Sequence, residues 1–273
     1  MLKQIAYSIL LVVAALTGCV TIGDADKPIS SIAVPATQAS AEHALVIVLP
    51  GFGADAKDLQ KHGIADAVHK HWSEADVLLT SATFAYYTRH NIISRLDEDV
   101  VGPARRQGYK QIWLAGASVG AMGVLFYEYA HPGEMTGLVL LAPWLGSSGT
   151  LDEIRNADGV RGWDAGSVPA AVDDDNYQHE LWRVVKRWSD DRASAARVWM
   201  ICGTDDRMLP TARLLAPAIP RSHYLELPGG HHWDTFVAAT GKIIEQIRRQ
   251  PLSQPGGSEP SPQSGAAWFN DAL

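Results

Sequence analysis

From His43 onward the chain alternates short, unbroken apolar runs with longer segments whose apolar residues recur at helical spacing. Leu45-Val46-Ile47-Val48-Leu49 is such a run, stopped by Pro50-Gly51. A few consecutive apolar residues bounded by turn formers describe a strand buried on both faces. The same reading predicts strands over Val77 to Leu79, Gln111 to Ala115, Leu138 to Leu141, Arg197 to Ile201 and His223 to Leu227. Between them the spacing predicts helices. Asp55 to His71 carries Leu59, Ile64, Ala67 and Val68 on one face, and Asn91 to Gln107 ends at Gly108, a usual helix stop. Val119 to Ala130 is halted by His131-Pro132-Gly133, and Trp233 to Arg249 forms a last helix. Alternation of this kind gives one α/β domain over residues 43–250, with six to seven mostly parallel strands and helices on both faces.

Three stretches break the rhythm. Residues 146–196 hold about fifty positions with no strand signal, an acidic run Asp173-Asp174-Asp175, and a helix near Tyr177 to Ser189. Leu181, Val185 and Trp188 make that helix amphipathic, so it is either an ordinary sheet-covering helix or a cap over a pocket. After Gln250, eleven of the fifteen residues 251–265 are Pro, Ser or Gly, and 251–273 reads as a disordered tail. Residues 19–42, rich in Ala, Ser, Thr, Asp and Pro, read as a flexible tether, in which Ile32 to Val34 could form an edge strand between Pro28 and Pro35.

The first residues join a short basic start, MLKQ, to an apolar run from Ile5 to Leu16, then to Thr17-Gly18-Cys19. The run is too short to span a bilayer, which takes about 20 residues, and suits a signal-peptide core. The whole resembles a bacterial lipoprotein signal, 1–18, which implies cleavage before Cys19 and a lipid on its sulfur. Val20 stands where an Asp would favour inner-membrane retention, so the outer membrane of a bacterial envelope is the expected location. With Cys19 lipidated only Cys202 is left, and no intramolecular disulfide can form. The 273-residue chain is 47% hydrophobic with a net charge of −7, which offers no basic face to nucleic acid or anionic lipid. Attachment to the membrane would therefore rest on acyl chains.

The chemistry begins at Gly116-Ala117-Ser118-Val119-Gly120, which matches G-x-S-x-G between a predicted strand and a predicted helix. In that context the serine sits on a strained turn at the carboxyl end of the sheet, and the two glycines leave room for it. A serine hydroxyl needs a base to take its proton and a third group to orient that base. Cys202-Gly203-Thr204-Asp205-Asp206-Arg207-Met208-Leu209-Pro210 follows the fifth strand, and Pro228-Gly229-Gly230-His231-His232-Trp233 follows the sixth.

Those three motifs, in that order, make residues 43–249 resemble an α/β-hydrolase. The resemblance implies a nucleophile Ser118, an acid Asp206 with Asp205 as fallback, and a base His231 with His232 second. It also implies an oxyanion hole from the N–H groups of Val119 and Phe52, although many relatives carry His where this chain has Pro50. It calls for no cofactor and no metal. The implied activity is hydrolysis of a small-molecule carboxylic ester by a membrane-tethered serine hydrolase, with thioesterase, lipase and peptidase variants open. The alternative is a non-catalytic lipoprotein of the same fold that binds a lipid or protein partner.

Other residues read as structural. His43, His62, His69, His71, His90, His131, His179 and His223 show no metal spacing and read as solvated surface. Cys202 reads as core filler, Asp97-Glu98-Asp99 as a solvated helix turn, and Asp234 as a partner of its helix dipole. Trp144 is placed either to line a pocket or to pack.

Overall fold

In a computed structural model, residues 22–41 and 43–250 are described, together with the backbone of Ala267–Trp268. The leader 1–18, Cys19 and the remainder of the tail 251–273 lie outside the described residues.

The strands are β1 (Ser31–Val34), β2 (Ala44–Leu49), β3 (Ala75–Thr80), β4 (Gln111–Ala117), β5 (Gly137–Leu141), β6 (Ala171–Val172), β7 (Val198–Gly203) and β8 (Tyr224–Leu227). Seven of them form one sheet in the order β1-β3-β2-β4-β5-β7-β8. All neighbours are parallel except β1, which runs antiparallel along β3 with Ser31 opposite Thr80. All six residues of β2 are buried, which is why its apolar run is continuous rather than alternating.

The two faces separate by parity. Leu45, Ile47 and Leu49 enter one core with the helices Val119–Ala130 and Tyr177–Asp190. Ala44, Val46 and Val48 enter the other, with the helices Ala56–Lys61, Ile64–His69 and Trp233–Arg249. Burying a large aliphatic side chain stabilises the fold by about 1.5–3 kcal/mol, so each face supplies a separate driving force.

Six expectations change. The helix expected over 55–71 is two helices, broken where Gly63 takes φ 75°, a left-handed conformation that ends one helix and starts the next. Asp55 starts the first through a reciprocal cap with Asp58. The helix expected over 91–107 includes a wide turn at Asp97–Val101, and a Cβ on Gly102 would stand 2.6 Å from the Asp97 carbonyl oxygen.

Asp99 is not solvated. It accepts from the Ile29 N–H at 2.8 Å and pairs with Arg95 at 3.0 Å, while the Tyr127 hydroxyl donates to Asp97 at 3.3 Å. The described part of the predicted tether is likewise docked: Ala25 and Ile29 are buried, and the Ala85 N–H donates to the Ile22 carbonyl at 3.0 Å. Within the tail, Ala267–Trp268 (β9) pairs in parallel with β6.

His223 is also not surface. It is buried, stacks on Trp199 with ring centroids 3.6 Å apart, and lies 3.1 Å from both the Val198 carbonyl and Gln250 Oε1. Desolvation pushes its pKa down.

Candidate active site

β4 ends at Ala117, and the chain turns straight into the helix Val119–Ala130 through Ser118, whose φ is 56° and ψ −115°. For a residue with a side chain this backbone is strained, and the strain is held by neighbours on both sides. The Ser118 N–H donates to Leu141 at the end of β5, and its carbonyl accepts from Ala121 and Trp144 at 3.1 and 3.2 Å. The glycines are required by contact. A Cβ on Gly116 would meet the Gly120 carbonyl at 2.3 Å, and one on Gly120 would meet the Leu49 carbonyl oxygen at 2.5 Å.

Asp206 and His231 arrive from the carboxyl ends of β7 and β8. His231 Nε2 lies 3.0 Å from Ser118 Oγ, and Nδ1 lies 2.9 Å from each carboxylate oxygen of Asp206. A carboxylate only accepts, so Nδ1 carries the proton and Nε2 is free to accept from the serine hydroxyl. The Asp206 side chain has no exposure, and its Oδ1 also accepts from the Met208 N–H at 2.8 Å. The edge of the Phe236 ring packs at 84° to the imidazole.

The fallback residues stand apart. Asp205 is exposed, and His232 is exposed with Nδ1 turned to Thr235 Oγ1 at 3.2 Å. Asp234 sits in the first turn of the helix Trp233–Arg249.

Gly51 lies against Ser118, since a Cβ there would be 3.6 Å from Ser118 Cβ. The Ala54 N–H returns to the Gly51 carbonyl at 3.3 Å, and Gly53 has φ 79°, which makes Gly51–Ala54 a turn with Phe52 at its second position. Neither the Phe52 nor the Val119 N–H has a hydrogen-bond partner among the described residues. The Phe52 ring is 54% exposed and meets Phe84 edge-on at 5.0 Å.

Cys202 is buried and its thiol is pushed up to about 12 by desolvation, with the Asp206 charge adding to it, so it does not supply a thiolate at neutral pH. Among the described residues no group of three or more His, Cys, Asp or Glu is placed to hold a metal.

Along the helix Val119–Ala130 is a cavity of about 230 Å³, whose wall includes Phe84, Tyr87, Phe126, Trp144 and Tyr177. Trp144 therefore both lines a pocket and fixes the turn. The segment that supplies Phe84 and Tyr87, a short helix Phe84–Thr88, has no strong apolar period, and its aromatic cluster, Phe84, Tyr86 and Tyr87, was the only signal for it.

Sheet order, the strained serine turn and the strand-end positions of Asp206 and His231 together define the α/β-hydrolase fold, and this chain has it. Solved structures sharing it include S-formylglutathione hydrolase from Staphylococcus aureus, at 12% identity and TM-score 0.51, covering 83% of this chain and 100% of that one. A monoacylglycerol lipase from Paleococcus ferrophilus matches at 14% identity and TM-score 0.50, covering 81% and 100%. Fluorophosphonate-binding serine hydrolase F of Staphylococcus aureus matches at 13% identity and TM-score 0.52, covering 81% and 99%. No protein-family model and no curated protein matches the sequence.

Proposed function

We propose that the protein is a serine hydrolase that cleaves a carboxylic ester or thioester through an acyl-enzyme. One observation carries the reading: a single imidazole bridges Ser118 Oγ at 3.0 Å and a fully buried carboxylate at 2.9 Å. His231 Nε2 takes the hydroxyl proton as Ser118 Oγ attacks the carbonyl carbon. Asp206 holds the ring tautomer and stabilises the imidazolium. The N–H groups of Val119 and Phe52 are the donors for the oxyanion: neither has another partner among the described residues, Val119 follows the serine in the chain, and Phe52 follows Gly51, which packs against it. His231 then protonates the leaving oxygen or sulfur, and a water, deprotonated by the same nitrogen, hydrolyses the acyl-enzyme. The structural neighbours that are a hydrolase and a lipase agree with this reaction class.

Replacing Ser118→Ala should lower turnover of p-nitrophenyl acetate by about 10⁴-fold or more and abolish covalent labelling by a fluorophosphonate. Labelling that persists at another residue would overturn the assignment. A folded protein with neither labelling nor turnover would instead fit a binding role.

The same proposal includes lipid on Cys19 and residence at a bacterial envelope membrane, the outer one favoured. Its support is the order of basic start, apolar run, small residues and cysteine in residues 1–19. Cys19→Ser should move the protein from the membrane to the soluble fraction; unchanged membrane attachment refutes it.

A further inference from the structure

The aromatic-walled cavity along the helix Val119–Ala130 bears on the substrate, an inference that rests on the hydrolase reading. Ser118 does not line it, and three links join the two. Met122, in the wall, stands one helical turn beyond Ser118, and Phe126 one turn further on the same face. The backbone N–H of Trp144, whose residue is also in the wall, donates to the Ser118 carbonyl at 3.2 Å. Phe84 packs on Phe52, whose turn lies over the serine.

Sheet order decides which half of an ester enters. Asp206 and His231 follow β7 and β8, on one side of β4, whereas the segment holding Phe84 and Tyr87 follows β3, on the other. The leaving group must lie toward His231 Nε2 to receive its proton, so the acyl group points away from it, toward the cavity.

The cavity's walls decide what kind of acyl group. Five aromatic rings face it, and two of them, Phe126 and Tyr177, lie 6.1 Å apart by centroid. Tyr87 is wedged, because its hydroxyl occupies the space a Cβ on Gly123 would need, at 2.3 Å. A preformed apolar cavity of about 150 Å³ holds benzene, so about 230 Å³ accommodates roughly nine non-hydrogen atoms. At the rim His90 and Asp174 meet at 2.8 Å, tying the segment after β3 to the insertion.

We propose that this cavity is the acyl pocket and that it selects a ring-bearing acyl group of arylalkanoyl size over a straight chain. Rings gain edge and offset contacts with aromatic walls that a chain does not.

The experiment compares p-nitrophenyl 3-phenylpropanoate with p-nitrophenyl nonanoate, which carry equal numbers of non-hydrogen atoms beyond the carbonyl. The phenylpropanoate should have the higher kcat/KM by about 3–10-fold. Tyr177→Leu should shrink that ratio, since it removes a ring and keeps the wall apolar. Along the straight chains, kcat/KM should rise by up to about fourfold per methylene as far as nonanoate and then level off. Asp174→Ala, which opens the rim, should move that plateau to longer chains. On the alcohol side, 3-phenylpropyl acetate should show no comparable advantage over nonyl acetate. A nonanoate preference, a rise continuing to palmitate, or ring selection on the alcohol side overturns the pocket assignment. Fluorophosphonate labelling of Ser118 reports separately on the hydrolase reading, which stands if labelling persists and only ring selection fails.

Discussion

The end of the sheet that holds Ser118, Asp206 and His231 and the insertion 146–196 are built by different means. At the sheet end the backbone fixes each side chain: a strained serine, glycines without room for a Cβ, and carbonyls at the ends of β2 and β5 in contact with the turn. In the insertion, side chains hold the backbone. Arg183 donates to the carbonyls of Ala165, Gly166 and Ser167 while paired with buried Glu180. Trp182 Nε1 donates to the Leu145 carbonyl at 3.0 Å, and Gln178 Oε1 accepts from the Ser147 N–H at 2.8 Å. Atoms fixed by sheet geometry suit a reaction whose tolerances are tenths of an ångström. A segment pinned by side chains can be re-cut by substitution without moving them, which suits the choice of substrate.

That contrast can be broken at either end. The largest effect is expected from Asp206→Asn, which leaves the packing but reverses the imidazole tautomer; kcat should fall by about 10⁴-fold with thermal stability little changed. Next comes Phe52→Pro. The second position of the Gly51–Ala54 turn accepts proline, so the substitution removes one N–H and keeps the loop. Turnover should drop by about 10²–10³-fold, against less than about threefold for Phe52→Ala, which retains the donor. Equal losses in the two variants would move the oxyanion role away from this N–H.

Arg183→Ala tests the other end. It leaves Glu180 buried without its partner, so urea unfolding should show a loss of about 3 kcal/mol, while p-nitrophenyl acetate turnover by the folded protein stays within a fewfold of normal. A collapse of acetate turnover in the folded variant would mean that the insertion positions the triad after all. Gln178→Ala, which removes the acceptor for Ser147, should cost about 1 kcal/mol in the same measurement and change acyl preference more than stability.

How much could be read in advance follows the same division. β2, β4, β5 and β7 are nearly continuous apolar runs because both faces are buried, and the motifs after β4, β7 and β8 hold Ser118, Asp206 and His231, whose side chains lie within hydrogen-bond distance of one another in series. Local pattern was enough there, because the fold places strand ends together. It failed at Gly63, where apolar spacing carries on from Leu59 through Ile64 although the backbone reverses hand. It failed also at Asp99 and His223, whose polarity suggests water but whose partners, Ile29 and Val198, are far away in sequence. The pocket was invisible for that reason: its rings come from four separate stretches, and no spacing rule links Tyr87 to Trp144 or Tyr177.

The docked residues 22–34 bear on how the molecule would sit in the cell. Ala25 is already buried, the Tyr86 hydroxyl grips the Lys27 carbonyl at 3.1 Å, and Asn91 Nδ2 holds that of Ala25 at 3.1 Å. Between Cys19 and Ala25 the chain can extend by no more than about 20 Å. The proposed lipid would therefore act as a short leash, keeping the β1 edge of the sheet close to the bilayer and limiting how the domain can turn. An enzyme moored that way does not sweep the surrounding volume; it works on molecules that come to the membrane surface, and always presents them much the same side.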